Sequence, residues 1–129
     1  MLSWIRAVNI VFKIVFYRKE NGESPVLDYL RSLKKDRTKD GRIKLNKFFQ
    51  YTKVLSECGT QVGEPVVKHL KDEIWELRPS GNRVLFAGVI GNRFVLLHVF
   101  QKQTQKTPSR EIERAKQELN DFLERNEKS

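Results

Sequence analysis

Cysteine is almost absent. With Cys58 alone among 129 residues, no disulfide can close within the chain and no cysteine-based metal cluster can form. A reducing cytoplasm is the expected setting. Acidic residues are also short: 16 Asp and Glu stand against 25 Lys and Arg, a net charge of +9. A basic balance of this size points to a polyanion or an acidic partner, the plain alternative being solubility alone. Long apolar runs are missing. Residues 7–17 are apolar apart from Asn9 and Lys13, too short and too interrupted to span a bilayer. Arg6 stands before them, but no small-residue cleavage site follows, so they read as a strand and not as a leader. No membrane partner is expected. Histidine occurs only at His69 and His98, with no carboxylate pair nearby in sequence, so no metal is expected. No glycine-rich phosphate loop is present, and no cofactor is expected.

What remains is the composition of a globular protein. At 39% hydrophobic and 32% charged, the chain is too apolar for disorder and too polar for a membrane protein. Its 129 residues fit one domain with a real core, 1–9 being an extension or lead-in and 124–129 a frayed tail.

The stretch 74–106 organises the rest. Three β-rich runs, 74–78, 83–90 and 93–100, are split by Pro79-Ser80-Gly81-Asn82 and by Gly91-Asn92. Short connections of this kind between β-branched and aromatic runs predict an antiparallel meander. The run Phe94 to Phe100 is nearly apolar throughout, which predicts a central strand covered on both faces.

Ahead of it, 11–17 is rich in β-formers and reads as the first strand. Ser24-Pro25 opens a short helix, Ser as N-cap and Pro at the first helical position, with Val26, Leu27, Leu30 and Leu33 as its apolar face. Lys34 to Gly41 reads as a charged turn. A second helix is expected from Arg42 to Cys58, stopped by Gly59. Between Arg31 and Lys53 nine residues are basic and two acidic, either a solvated helix face or a phosphate-tracking surface. Residues 60–65 form a loop, and 65–72 lead into the sheet as a turn or strand. After a polar loop at 101–107, Thr107-Pro108 starts a last helix whose apolar stripe is Ile112, Ala115, Leu119, Phe122 and Leu123.

The meander carries Glu76, Arg78, Arg83, His98, Lys102 and Lys106, and Lys68 and Lys71 lie just before it. Arg83 can grip a phosphate with two parallel hydrogen bonds; Lys102 and Lys106 suit the same anion as point charges. His98 titrates near neutrality and is an acid–base candidate, or else a core histidine paired within an apolar strand. Glu76 is a base among cations, weakened by them, or a cross-strand ion-pair partner of Arg78 or Arg83. Trp75 either stacks a nucleic-acid base or packs under the helices.

The order of these segments resembles the HigB branch of the RelE/ParE toxin superfamily, the phage-derived HigB-like toxins. The resemblance covers roughly Val11 to Phe122. It is carried by Trp75-Glu76-Leu77-Arg78, by Arg83-Val84-Leu85-Phe86, and by His98 to Pro108. It implies an α+β fold, with an N-terminal strand, two N-terminal helices on one face of a small antiparallel sheet, and a C-terminal helix. It implies a toxin that cuts mRNA on the ribosome, touching rRNA through its basic surface, and that a helix-turn-helix antitoxin silences. Arg83 and Lys102 sit where RelE-like toxins place phosphate-binding residues, and Glu76 and Arg78 match charged positions of relatives on the same strand. On this reading Arg83, His98, Lys102 and Glu76 are the catalytic candidates, and Lys68, Lys71, Arg78, Lys106 and Trp75 bind RNA. One departure stands out: no tyrosine follows Tyr51, so a C-terminal tyrosine cannot act as base. Two other functions share the fold. One is a ParE-like gyrase inhibitor without chemistry, which would not need Arg83, Lys102 and His98 converging on one surface. The other is a plain nucleic-acid-binding module, against which the lack of an RNP-type pattern or a helix-turn-helix weighs.

Overall fold

A computed structural model describes residues 11–127; the N-terminal extension expected at 1–9 lies outside them. The chain enters strand β1 (Lys13–Phe16). Its start is tied to the second helix, because Phe12 N–H donates to the Ser56 carbonyl at 2.8 Å and Ser56 Oγ donates to the Phe12 carbonyl at 2.7 Å. Helix α1 (Pro25–Lys35) begins where the sequence puts it: Ser24 Oγ accepts the Leu27 N–H, and Val26, Leu30 and Leu33 are buried. Helix α2 (Lys39–Cys58) starts three residues before the expected Arg42, because Thr38 Oγ1 caps the Gly41 N–H at 3.1 Å. It ends at Gly59, whose φ of 67° favours glycine. A Cβ there would also stand 2.9 Å from the Phe12 ring.

A 3₁₀ turn (Gly59–Val62) leads to β2 (Val67–Lys71) and β3 (Ile74–Leu77). Then come β4 (Asn82–Val89), β5 (Arg93–Gln101) and α3 (Ser109–Glu127). The β4–β5 turn has positive φ at both Gly91 and Asn92, as a tight two-residue hairpin requires. Helix α3 runs past the point where the tail was expected to fray. Arg125 holds Asp121 one turn back at 2.7 Å, and 128–129 lie outside the described residues.

The five strands are ordered β1-β5-β4-β3-β2. From β2 to β5 the pairing is an antiparallel meander. The N-terminal strand β1 joins the expected antiparallel sheet through β5, and in parallel, Lys13 opposite Arg93 and Phe16 opposite Leu96. The crossover that a parallel pair needs is supplied by α1, α2 and the meander itself.

Both faces are covered. Phe86, Phe94 and Leu96 pack under Val26, Leu30, Phe48 and Leu55 of α1 and α2. Leu85, Ala87, Val95 and Leu97 pack under Ala115, Leu119 and Phe122 of α3. That double cover is why β5 is apolar at nearly every position. Among the described residues no helix is long and apolar enough to cross a membrane.

Candidate functional site

Register decides which polar side chains meet. Lys68 pairs with Glu76, Glu76 with Leu85, and Leu85 with His98. Directly paired residues share a face, so these four form one row across the sheet. The row lies on the α3 side, because Leu85 packs against α3. Arg78 and Arg83 are each two residues from a member of the row, so they share that face. Helix α3 covers it only from Ser109 onward. Beyond its first turn the face is open, and a cleft of about 630 Å³ lies there.

Four cations line that cleft, Lys68, Arg78, Arg83 and Lys102, together with Glu64 and Gln103, Thr104 and Gln105 of the loop before α3. Glu76 does not line it but lies behind Arg78 and Arg83, with no exposed surface. Thr107 Oγ1 donates to Glu76 Oε1 at 2.7 Å. Arg83 Nε stands 4.0 Å from Oε1 and Arg78 Nε 3.8 Å from Oε2, too far for hydrogen bonds. Glu76 Oε2 and Arg83 Nε are accordingly buried without a hydrogen-bond partner. An unpaired buried polar atom costs about 1–3 kcal/mol, and two such atoms side by side mark a place where folding has not optimised stability.

The outer ends of the arginines are held differently. Arg78 Nη1 donates to Glu64 Oε1 at 3.0 Å, and Arg83 Nη1 donates to the Ser80 carbonyl. Burial pushes the Arg83 guanidinium below its ordinary value although Glu76 pulls it up; an arginine so shifted still keeps its charge at neutral pH. Burial likewise pushes the Lys102 ammonium down. Glu76 opposes this, and Arg83, Arg78 and Lys68 add to it. Lys102 therefore gives up its proton more readily than an ordinary lysine.

Of the residues singled out from sequence, Lys68, Arg78, Arg83 and Lys102 meet at one cleft, with Glu76 beneath. Lys106 lines an adjoining depression of about 210 Å³ that shares Lys68 and Lys102 with the cleft. Three residues do not come to the cleft. Trp75 sits on the opposite face, packed against the α1/α2 core with its ring 5.0 Å from His69. Lys71 is exposed at the far end of β2 and lines neither depression. His98 is fully buried. An extra residue in β5 opposite the Leu85–Phe86 step shifts the register. The bulge turns His98 onto the α3 side, where Glu118 lies 2.5 Å from Nδ1 and Glu111 3.0 Å from Nε2.

Glu64 and Thr107 had drawn no attention in the sequence. Glu64 stands in an irregular loop with no periodicity to place it, and Thr107 served only as a helix-start signal. A more apolar groove of about 440 Å³ lies at the other end of the sheet, lined by Phe12, Ile90, Phe94, Leu119 and Leu123 among others. Its charged residues are Glu73 and Arg93, which make no acid–base constellation.

Fold and cleft define a class: a small α+β protein with a cationic cleft where a covering helix stops short. Within that class the family is settled by sequence. The model of the phage-derived Gp49-like proteins matches residues 28–120, and the chain belongs to that family. It is a family associated with toxin–antitoxin toxins of the RelE/HigB type. No curated protein matches the chain significantly.

Proposed function

We propose that this protein is the toxin of a type II toxin–antitoxin pair, of the HigB kind, and that it cuts mRNA on the translating ribosome without a metal. One observation carries the reading: four cations, from β2, the end of β3, β4 and the end of β5, converge on one cleft beside a buried carboxylate. A cleft so charged suits an RNA phosphodiester, whose cleavage adds negative charge at phosphorus.

In the proposed reaction the 2′-oxygen attacks the neighbouring phosphorus and the bond to the 5′-oxygen breaks. The products are a 2′,3′-cyclic phosphate and a free 5′-hydroxyl. Arg83 and Arg78 hold the non-bridging oxygens as charge builds on them. Lys102, its ammonium pushed down by burial, returns a proton to the leaving 5′-oxygen. The base must be reachable by substrate. Glu76 is sealed, so its part is to fix the two arginines. Glu64, with its side chain 60% exposed on the cleft rim, takes the 2′-proton. Lys68 and Lys106 track the flanking phosphates.

A helix-turn-helix antitoxin is the expected partner, and rRNA is met through the basic surface, in the cytoplasm. The test is expression of the chain alone with pulse labelling. Protein synthesis is expected to fail before DNA synthesis, with cleaved mRNA recovered. The opposite order would replace this reading with ParE-like gyrase inhibition.

A further inference from the structure

One buried cluster of titratable groups has no part in that chemistry. His98 lies between Glu118, 2.5 Å from Nδ1, and Glu111, 3.0 Å from Nε2. A neutral imidazole carries a single N–H. Facing a carboxylate on each side, it satisfies both only when one more proton is held, on the ring or on a carboxyl group. Arg114 Nε stands 3.4 Å from Glu118 and Arg110 Nε 3.8 Å from Glu111, the cations that α3 turns toward the cluster.

The cluster's place in the chain gives it a task. His98 lies near the end of β5, and Glu111 is in the first turn of α3. Their contact closes the segment between them, residues 102–108, into a short loop. That segment is one wall of the cleft, supplying Lys102, Gln103, Thr104 and Gln105. It is pinned at two further points. Lys102 N–H donates to the Gly81 carbonyl at 3.1 Å, and Thr107 donates to Glu76 at 2.7 Å. Closing a loop orders it only while the closing contact holds.

We propose that His98, Glu111 and Glu118 form a proton-bridged latch that sets the loop wall of the cleft. They are positioning residues, acting on Lys102 and Lys106 without touching substrate. The inference rests on the cleft being the working site, but its first test does not require catalysis.

Hydrogen exchange on the full chain reads the latch directly. In Glu111→Leu the backbone amides at positions 102, 111 and 112, which in the parent donate to the Gly81 and Pro108 carbonyls, are expected to exchange at least about tenfold faster, while those in the middle of β4 and β5 keep their rates. Affinity for a fluorescein-labelled single-stranded RNA is expected to fall several-fold in the same variant. Glu111→Gln is expected to restore both, since its amide donates to Nε2 while Nδ1–H donates to Glu118. Unchanged exchange at these amides would overturn the latch. So would uniform acceleration across β4 and β5, or a Glu111→Gln as loose as Glu111→Leu. If the unaltered protein cuts no RNA but the exchange pattern holds, the latch stands and the nuclease reading falls.

Discussion

Two carboxylate clusters share one row of one sheet face, and they are built on opposite terms. Glu76 and His98 flank Leu85 on adjoining strands, about 10 Å apart at ordinary strand spacing. Around His98 both ring nitrogens face a glutamate oxygen within 3.0 Å. Around Glu76 the nearest guanidinium nitrogens stand back at 3.8 and 4.0 Å, and two polar atoms stay unpaired. Titratable groups alone do not distinguish the clusters. Satisfaction does: in the closed one both nitrogens of His98 are paired, whereas in the open one Glu76 Oε2 and Arg83 Nε are buried without a hydrogen-bond partner.

The largest effect expected from breaking this contrast is on stability, at the closed cluster. His98→Leu leaves two glutamates facing a methyl group in the core. Removing one partner from a buried charged cluster costs about 3–5 kcal/mol. Urea unfolding should show that loss. A variant within about 0.5 kcal/mol of the parent, the range of ordinary surface changes, would mean that the cluster is not an interlocked unit.

Next comes function at the open cluster. Arg83→Ala and Lys102→Ala are each expected to lower RNA cleavage by about 10²–10³-fold and to abolish growth arrest. The unfolding midpoint should stay close to the parent's in Lys102→Ala but fall in Arg83→Ala, which strips a cation from beside the buried Glu76 carboxylate. Full toxicity in both variants would remove the proposed site. The pH profile sharpens the point. The proposed role needs Lys102 protonated. Because burial and the neighbouring cations push its ammonium down, activity should decline on the alkaline side earlier than an ordinary lysine would allow. Lys102→Arg, which keeps its charge at all these pH values, should flatten that limb while lowering the rate.

The two carboxylates of the cleft make a smaller comparison. Glu64→Gln is expected to lower cleavage by about 10²-fold with little change in stability, because its side chain is mostly solvated. Glu76→Gln should act through the positions of Arg78 and Arg83, raising KM more than it lowers kcat. The reverse pattern would make Glu76 the base.

How far the sequence carried this picture depends on whether local or distant residues decide each element. Ser24-Pro25, Gly59 and Gly91-Asn92 are local signals, and each marks an element boundary where it was expected. The apolar run of β5 announced its central place for the same reason. The parallel pairing of β1 did not show, because nothing in 13–16 specifies direction; the partner lies some 80 residues away in sequence. Thr38 was hidden as a cap inside a charged run that read as a turn. The facing of His98 turned on one inserted residue in β5, and a one-residue slip moves a side chain to the other face. Arg78, Arg83 and Lys102 were legible as cations but not as neighbours. Their meeting depends on where α3 stops short.

The smallest expected effect compares two lysines of β2. Lys68 lines the cleft and its neighbouring depression, whereas Lys71, three residues on, lines neither. Both are exposed and equally charged, so net charge cannot separate them. If the cleft holds the RNA backbone, Lys68→Ala should weaken binding several-fold and lower the salt slope by about 0.7, one phosphate contact on a single strand. Lys71→Ala should leave the slope unchanged. Equal losses in both would mean that RNA is attracted by the overall charge of +9 and not by a site. The four converging cations would then have to be explained by a partner protein.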